Sequence, residues 1–246
     1  MKQYAIIGKP VSHSISGQWF SKHFQKMAID ADFRMIEPKD SDILNFREWI
    51  LNSRFNGLLV TIPFKKTIFA FLDEADEHAK AVGAANVIVV EDGQLKGYNT
   101  DCLAFESELR RIRPKGFERA IVLGTGGASD AVTYALGHMG VSYVVVSRKN
   151  SSTAISYNDL SEAIMGEADI VINATPLGMM PLLNEYPSIN YQWLKSTALA
   201  FDLIYNPEKT LFLEKCAEVG CQTVNGLGMV ESVYRQALSL WNLVSH

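Results

Sequence analysis

Short apolar runs alternate with stretches of helical periodicity along the whole chain. Runs rich in β-branched residues, such as residues 4–8 and 57–62, predict buried strands. Between these two runs, apolar residues recur at helical spacing over residues 17–28 and 43–51, which predicts two helices. Strands that alternate with helices in this way indicate βαβ units and parallel sheets.

The same pattern continues to the end of the chain in two series. The first series adds a strand at 33–36 and a hairpin of residues 86–90 and 95–98, which turns at Asp92 and Gly93. A long helix then runs from about residue 101 to 113 and ends at Pro114. The second series is predicted to have strands at 119–123, 142–147, 169–174 and 198–204, and helices at 128–139, 159–165, 208–219 and 229–244. The charged segment 110–118 is the best candidate for a linker between two α/β lobes.

Composition narrows the class of protein without naming it. The 246 residues carry 23 basic and 27 acidic side chains, a net charge of −4, which gives no nucleic-acid footprint. No apolar run approaches the ~18 residues of a membrane span, so we expect no membrane partner. Three cysteines, an odd and sparse number, favour a reducing cytoplasmic location over a disulfide framework.

A glycine turn opens the second lobe. Residues 121–123 form a predicted strand, and Gly124, Gly126 and Gly127 lead into the next helix. Gly124 permits a tight turn, and Gly126 lets the backbone approach a pyrophosphate at the helix N-terminus. The third glycine of the general dinucleotide fingerprint would stand at Ser129, so the alternative of an ordinary Gly-rich βα turn stays open.

The following strand ends in basic residues. NAD-selective sites usually place an acid about 20 residues after the glycines, to bind the ribose 2′-hydroxyl. Here the strand ends at Ser147, Arg148 and Lys149, whose positive charges would attract a 2′-phosphate. This favours NADP over NAD, and the alternative is a pair of solvated surface cations. Asp130, near the helix start, adds a negative charge close to the expected phosphates.

Three polar segments of the first lobe are candidates for chemistry. Ser14 and Ser16 precede the first helix, where hydroxyls cap a helix or bind a carboxylate. Lys65 follows a strand, and Asn86 and Asp101 stand at strand ends. Taken singly, each has an ordinary structural explanation as a cap, turn or surface residue.

In combination, these segments resemble the shikimate dehydrogenase family over essentially the whole chain. Eight blocks occur in the family's order and near its spacing. They are SHSIS at 12–16, VTIPFK at 60–65, GAAN at 83–86, GYNTD at 97–101, GTGGAS at 124–129, INATPLGM at 172–179, FDLIYNP at 201–207 and NGLGM at 225–229. The resemblance implies NADP-dependent, reversible reduction of 3-dehydroshikimate to shikimate in aromatic amino acid biosynthesis.

The resemblance also implies a role for each matching position. Ser14 and Ser16 would hold the substrate carboxylate, Thr61 and Asn86 the ring hydroxyls, and Tyr205 would lie near the substrate. The residues that would border the pyrophosphate are Gly124, Thr125, Gly126, Gly127 and Ala128. Those that would surround the 2′-phosphate are Ser147, Arg148 and Lys149. Those that would line the nicotinamide side are Asn173, Thr175, Leu203, Gly226 and Met229.

Lys65 and Asp101 would form the catalytic pair. A neutral Lys65 amine would take the proton of the substrate hydroxyl, whereas an ammonium would stabilise the developing alkoxide. The sequence leaves both roles open.

The chain departs from the family pattern at three places. Val233 stands where the family usually has a glutamine that binds substrate hydroxyls, and the nearest glutamine is Gln236, one helical turn later. Gln236 is therefore a candidate substrate residue, and equally a candidate surface residue. Cys102 replaces a common glycine, and Asp130 a neutral or basic residue.

We therefore predict an α/β protein of two lobes. Residues 1–101 and 228–246 would form the substrate-binding domain and residues 102–227 a Rossmann-type NADP-binding domain, with the C-terminal helix returning to the first lobe. The partners would be an anionic small-molecule substrate and NADP(H), with no metal, in a monomer or homodimer. A dehydrogenase of quinate or another hydroxylated cyclohexane carboxylate, and a low-activity ligand-binding paralogue, are the alternatives.

Overall fold

The computed structural model describes residues 1–12 and 14–243, and the chain separates into two compact units. The first unit comprises residues 1–100 and the residues from Val233 onward, and the second comprises Asp101–Ser232. Two parts of the chain lie outside the described residues. They are position 13 of the SHSIS block and residues 244–246, which include the end of the predicted last helix and of the predicted substrate-binding domain. The predicted limits at residues 101 and 228 divide a substrate-binding domain from a cofactor-binding domain, and this division stays a prediction.

The first unit is built on a six-stranded mixed sheet. Its strands are β1 (Lys2–Ile7), β2 (Ala31–Ile36), β3 (Gly57–Val60), β4 (Glu74–Ala75), β5 (Val87–Glu91) and β6 (Gln94–Tyr98). The strand order is β2-β1-β3-β5-β6-β4. β1 pairs in parallel with β2 and β3, while β5 pairs antiparallel with both β3 and β6. The predicted β5–β6 hairpin is confirmed, and its turn residues Asp92 and Gly93 both have positive φ.

In the described part of the chain, four α-helices lie wholly within this unit. They are α1 (Ser16–Lys26), α2 (Asp40–Leu44), α3 (Phe46–Ser53) and α4 (Glu77–Val82). α1 buries Phe20 and Phe24, one turn apart, and α3 buries Phe46 and Ile50 at the same spacing. Phe46 and Ile50 share an apolar cluster with the wholly buried strand β3. Phe20 stacks on Phe33 of β2, with ring centroids 4.3 Å apart. This burial of one face explains why the periodicity predicted the two longer helices.

The second unit contains a six-stranded parallel sheet. Its strands are β7 (Arg119–Leu123), β8 (Ser142–Ser147), β9 (Ile155–Ser156), β10 (Ile170–Asn173), β11 (Leu199–Asp202) and β12 (Gln222–Val224). Read from β9, the order is β9-β8-β7-β10-β11-β12, in which the first strand of the unit stands third. This is the strand order of the dinucleotide-binding Rossmann sheet, with its reversal between β7 and β10.

The helices of the second unit are α5 (Thr100–Ile112), α6 (Gly127–His138), α7 (Glu162–Glu167) and α8 (Leu211–Glu218). The first residue of α5, Thr100, still belongs to the first unit. Side-chain caps fix where two of them begin. Ser161 accepts the Ile164 N–H at the start of α7, and Thr210 accepts the Leu213 N–H at the start of α8. The sheet buries Val171 and Ala200 against α7 and α8 in a single apolar core.

The last helix, α9 (Leu227–Leu240), carries the chain from the second unit back into the first. Its final turn leads to Trp241, whose ring stacks on Tyr4 of β1 with centroids 4.5 Å apart. The indole Nε1–H of Trp241 donates to the Ile88 carbonyl of β5 at 3.0 Å. The predicted return of this helix to the first lobe is therefore confirmed.

Several predicted elements differ in detail from the structure. The predicted helix 43–51 is two helices, because Asn45 leaves the helical conformation. The predicted helix 159–165 is a short 3₁₀ turn followed by α7, which starts only after Ser161. α4 and the short strands β4, β9 and β12 had no clear sequence signal. No helix in the described part of the chain is long and apolar enough to cross a bilayer.

Candidate active site

The predicted substrate segments of the first unit follow strand ends at one edge of its sheet. Ile7 of β1 pairs with Val60 of β3, and Val87 of β5 pairs with both Leu59 and Tyr98. The carboxyl ends of β1, β3 and β6 therefore share an edge with the amino end of β5. The serine, lysine and asparagine segments all extend from this edge.

The lysine segment is a tight turn held by backbone hydrogen bonds. Thr61 donates its N–H to the Ile7 carbonyl at 2.9 Å, and Phe64 donates to the Thr61 carbonyl at 3.0 Å. The Phe64 ring is buried, which anchors the turn and leaves Lys65 half-buried beside it. The Lys65 carbonyl accepts the Ala85 N–H at 3.1 Å, so the lysine and asparagine segments are joined through backbone atoms.

Asn86 links strand β5 to the start of α5. Its side-chain Oδ1 accepts the Thr100 N–H at 2.7 Å, and its Nδ2 donates to the Thr100 Oγ1 at 3.0 Å. Asn86 is only 2% exposed, so this carboxamide is largely committed to holding Thr100. Asp101 follows in the first turn of α5 and is also buried. Lys65 and Asp101 belong to different units, and their pairing stays a prediction.

The serine segment forms a hydrogen-bonded chain that the sequence did not reveal. Ser14 Oγ lies 2.7 Å from Ser16 Oγ, and Ser16 Oγ lies 2.6 Å from the phenol oxygen of Tyr234 on α9. Ser16 and Tyr234 are both buried, whereas Ser14 is half-buried. A signal was available, because Tyr234 lies on the same helical stripe as Leu238 and Trp241, and a buried phenol needs a polar partner.

The other predicted substrate residues lie further along the chain. Tyr205 is half-buried in the turn after β11, in the second unit. Gln236 is half-buried on α9, one turn beyond the buried Val233, in the part of that helix that belongs to the first unit. Gln236 is already engaged in an interaction within the structure. Its role toward a substrate stays a prediction.

The predicted cofactor residues of the second unit follow the carboxyl ends of its parallel strands. Gly124 comes directly after β7, Ser147 ends β8, and Asn173 ends β10. Leu203 follows β11, and Gly226 follows β12 after one residue. Ligands of open α/β sheets bind at this edge, where the strand order reverses. The topology therefore brings all these segments to the edge that a dinucleotide uses.

The two glycines of the turn have different requirements. Gly124 has φ +112°, and a Cβ there would lie 3.0 Å from both the Ala174 carbonyl oxygen and Thr175 Cγ2. Fold geometry alone thus demands glycine at position 124. Gly126 has φ −82° as the N-cap of α6, and a Cβ there would meet no heavy atom within 4 Å. Nothing in the described chain requires glycine at position 126, which leaves open space in front of a helix N-terminus.

The basic end of β8 is open to solvent. Arg148 and Lys149 are exposed, while Ser147 is half-buried and accepts the Lys149 N–H at 3.3 Å. Its hydroxyl also donates to the Lys149 carbonyl, which folds the strand end back on itself. Burial raises the pKa of the nearby Tyr157, and the charge of Arg148 opposes that shift. Two cations therefore stand at the strand end where an NAD site would carry an acid.

A buried carboxylate organises the ends of β10 and β11. Asp202 accepts from Asn173 Nδ2 at 3.1 Å, from the Ile204 N–H at 3.0 Å and from Thr210 Oγ1 at 2.5 Å. Burial raises the pKa of Asp202 to about 6, although these three donors act to lower it. Asn173 Oδ1 accepts from the Thr175 hydroxyl at 2.6 Å. Asp202 and Thr210 thus fix two predicted cofactor residues, and sequence reasoning assigned neither of them a role.

The remaining predicted cofactor residues are held by close backbone packing. Leu203 donates its N–H to the Asn173 carbonyl at 3.1 Å. A Cβ on Gly226 would lie 2.2 Å from the Leu203 carbonyl oxygen, so position 226 needs glycine for packing. Met229 is buried in the first turn of α9.

Two surface cavities of the first unit lie elsewhere. One of about 450 Å³ is lined by Arg47 and Phe71 among others, and one of about 290 Å³ includes Lys2 and Trp241. Neither lining contains a predicted site residue. Within residues 1–12 and 14–243, no group of three or more His, Cys, Asp or Glu side chains is placed to hold a metal ion.

Comparison with known proteins gives similarity to shikimate dehydrogenases over nearly the whole chain. Residues 6–88 match the family model of the shikimate dehydrogenase substrate binding domain. A shikimate dehydrogenase (NADP(+)) of Carboxydothermus hydrogenoformans is 34% identical over 99% of this chain and 92% of its own length. That of Syntrophomonas wolfei is 36% identical over 96% and 87%. The structure of a shikimate 5-dehydrogenase of Thermus thermophilus, in complex with NADP(H) and shikimate, superimposes with a TM-score of 0.87 at 26% identity, covering 99% of this chain and 94% of that one.

Proposed function

The chain belongs to the shikimate dehydrogenase family, and from this premise we propose that it is an NADP-dependent enzyme that reversibly reduces 3-dehydroshikimate to shikimate. One observation carries the proposal. A sheet in the Rossmann order, with a glycine turn at its reversal, lies in a chain that is similar over 99% of its length to an NADP(+)-dependent shikimate dehydrogenase.

The first unit would supply most of the substrate contacts. We assign the carboxylate to Ser14 and Ser16, whose hydroxyls lie 2.7 Å apart at the start of α1. Thr61 and Asn86 would contact ring hydroxyls, since both extend from the same sheet edge. Tyr205 and Gln236 complete the proposed set. Because Asn86 is already engaged with Thr100, we expect it to contribute by orienting its neighbours as much as by direct contact.

Lys65 and Asp101 are the proposed catalytic residues. Lys65 Nζ would either take the proton from the substrate hydroxyl or, as an ammonium, donate a hydrogen bond to the developing alkoxide. Asp101 is the proposed second member of the pair. Bound NADP(H) supplies the hydride chemistry.

The second unit fits a dinucleotide with a 2′-phosphate. The open space in front of Gly126 and the N-terminus of α6 suit a pyrophosphate, which Thr125, Gly127 and Ala128 would also border. Arg148 and Lys149 would bind the 2′-phosphate. The proposed nicotinamide-side residues come from the ends of β10 to β12 and from α9; they are Asn173, Thr175, Leu203, Gly226 and Met229.

A single assay tests the proposed function. Purified protein is mixed with NADP⁺ and shikimate or quinate, and the absorbance of the reduced nicotinamide is followed. Reduction driven by shikimate supports the proposal. Val233 stands where the family usually has a glutamine that binds substrate hydroxyls, so a quinate dehydrogenase is the second candidate function. A preference for quinate in this assay would establish that second function. Binding of either acid by calorimetry without turnover would indicate a ligand-binding paralogue.

Charge at Gly126 provides a test of the pyrophosphate site. We expect Gly126→Asp to raise the KM for NADP⁺ at least about tenfold more than the isosteric Gly126→Asn, because only the aspartate repels an anion there. Aspartate and asparagine are both good N-cap residues, so both variants should keep α6. Initial rates at saturating shikimate measure the KM for NADP⁺, and thermal unfolding shows whether both variants keep the fold. Equal KM values for the two variants would contradict the assignment.

The basic strand end should set the preference for NADP. Replacing Arg148 and Lys149 together with glutamine is expected to raise the KM for NADP⁺ at least about tenfold, since charged hydrogen bonds to the phosphate are lost. The KM for NAD⁺ should not rise, because NAD⁺ lacks that phosphate. Lys115→Gln, at the opposite edge of the sheet before β7, is the control and should change neither value. Equal efficiency of the wild type with both cofactors would refute the assignment.

We further propose that the enzyme works in the cytoplasm, as a monomer or a homodimer. The location is supported by Cys102, Cys216 and Cys221, which are buried and form no disulfide within the described residues, as expected in a reducing compartment.

A further inference from the structure

Three hydroxyl groups form a continuous chain in the first unit. It begins at Ser14, passes through Ser16 at the first residue of α1, and ends at Tyr234 on α9. The two oxygen–oxygen distances are 2.7 Å and 2.6 Å, both short enough for well-formed O–H···O bonds. Tyr234 is the residue directly after Val233, so α9 offers a polar group beside this apolar position.

Packing fixes the inner end of this chain. Tyr234 is 3% exposed, and its ring lies 4.9 Å from the Trp19 ring and 5.1 Å from the Phe20 ring, centroid to centroid. Ser16 is 1% exposed, while Ser14 is only half-buried. The chain therefore opens toward solvent through Ser14, and Tyr234 closes it from inside the core.

The protons of the chain have a preferred direction. Each hydroxyl has one proton to donate, and a phenol is a stronger donor than an aliphatic hydroxyl because it is the more acidic group. The favoured arrangement is therefore donation from Tyr234 to Ser16 and from Ser16 to Ser14. Ser14 Oγ also accepts the Ser16 N–H at 3.2 Å, so its own proton is directed away from the chain. A directed chain of this kind strengthens its terminal donor.

An anion at this site would redirect the Ser16 proton and keep the bond from Tyr234 to Ser16. When a carboxylate takes the proton of Ser16 as well as that of Ser14, Ser16 Oγ still accepts from Tyr234 and stays in place. A neutral ester or amide group gains less from such donors, because charged acceptors form the stronger hydrogen bonds.

We propose that Tyr234 is a positioning residue of the carboxylate site, acting through Ser16 to make the enzyme select an anionic substrate. This inference rests on the proposed function, since it concerns the carboxylate of the same substrate. It extends that function by assigning a specificity role to a residue of α9 that does not itself touch the substrate.

Tyr234→Phe tests the proposal, because it removes one oxygen and keeps the ring between Trp19 and Phe20. We expect the KM for shikimate to rise about three- to tenfold, with kcat and the KM for NADP⁺ unchanged. The preference in kcat/KM for shikimate over its methyl ester should fall by a similar factor. Tyr4→Phe, a matched loss of a phenol from the core of the same unit, should leave all these values at the wild-type level.

A double variant separates positioning from packing. If Tyr234 acts through Ser16, Tyr234→Phe should have no further effect on the preference in a Ser16→Ala background. If Tyr234→Phe does not fold, Ser16→Ala alone provides the test, and an unchanged preference for shikimate over its ester overturns the proposal. A Tyr234→Phe enzyme with wild-type KM and preference also overturns it, as does an equal loss with both substrates.

The activity of the wild type shows whether a negative result concerns Tyr234 or the proposed function itself. A wild type that oxidises shikimate, with an unaffected Tyr234→Phe variant, refutes the role of Tyr234 alone. A wild type that neither oxidises nor binds shikimate refutes the proposed function, and the inference with it.

Discussion

Lys65→Ala is expected to lower kcat for shikimate oxidation by about 10²- to 10⁴-fold, the usual range for loss of a general acid or base. The substitution removes the one side chain assigned to the proton or to the developing alkoxide. The turn itself should survive, because Lys65 is tied to Ala85 through its backbone carbonyl. Initial rates at saturating NADP⁺ and shikimate measure the loss, and circular dichroism checks the fold. Turnover near the wild-type level would remove Lys65 from the mechanism.

Two further variants sharpen this test. Lys66→Ala, at the neighbouring exposed lysine, is the matched control and should keep kcat within about twofold of the wild type, as is typical of surface substitutions. Lys65→Arg distinguishes the two proposed roles, because arginine stays charged and cannot accept a proton. Substantial activity in Lys65→Arg would support stabilisation of the alkoxide, and its absence would support proton transfer.

Trp241→Ala is expected to lower the free energy of unfolding of the first unit by about 3–5 kcal/mol. The ring is buried, stacks on Tyr4, and donates to the Ile88 carbonyl, which would lose its partner. Urea unfolding followed by circular dichroism measures the change. Trp241→Phe keeps an aromatic ring without the donor and should lose clearly less. Equal losses for the alanine and phenylalanine variants would contradict the packing argument.

Gly57 gives an independent check of the same contact. A Cβ at position 57 would lie 2.2 Å from Trp241 Nε1, so Gly57→Ala should destabilise the wild type by about 1–3 kcal/mol through overpacking. In the Trp241→Ala background the clash is gone, and most of that cost should disappear. Additive losses would mean that the indole does not rest on Gly57.

Hydrophobic periodicity predicted most of the secondary structure, but not where its short elements lie. β7 and β8 have the predicted bounds, because both are buried runs with clear turn residues on each side. α4 was missed because six residues are too few to establish a period. α4 is instead marked by the Asp76 cap at its start and by Gly83, in the left-handed region, at its end. The two residues can be recognised as a pair of helix ends only in the folded structure. The mixed pairing of β5 depends on contacts across the sheet, so the prediction of parallel sheets holds fully only for the second unit.

The site could be predicted only where a residue type carries its chemistry in the local sequence. The glycine turn and the basic end of β8 were visible because backbone geometry and charge act over a few residues. Tyr234 was not, because it meets Ser16 only after the long stretch of chain between them has folded, a separation of 218 positions. Asp202 was also missed, since a carboxylate at a strand end has no distinctive local signal until Asn173 and Thr210 are seen to converge on it.

The position of Trp241 has a consequence for the order in which the chain can fold. The core of the first unit needs this indole over Gly57 and against Tyr4, yet it lies near the opposite end of the polypeptide. During synthesis, residues 1–100 emerge before the second unit, but their core lacks the Trp241 indole until the whole second unit has been made. The first unit is thus completed only after the second, and a fragment limited to residues 1–100 would leave Tyr4 and Gly57 without the ring that covers them.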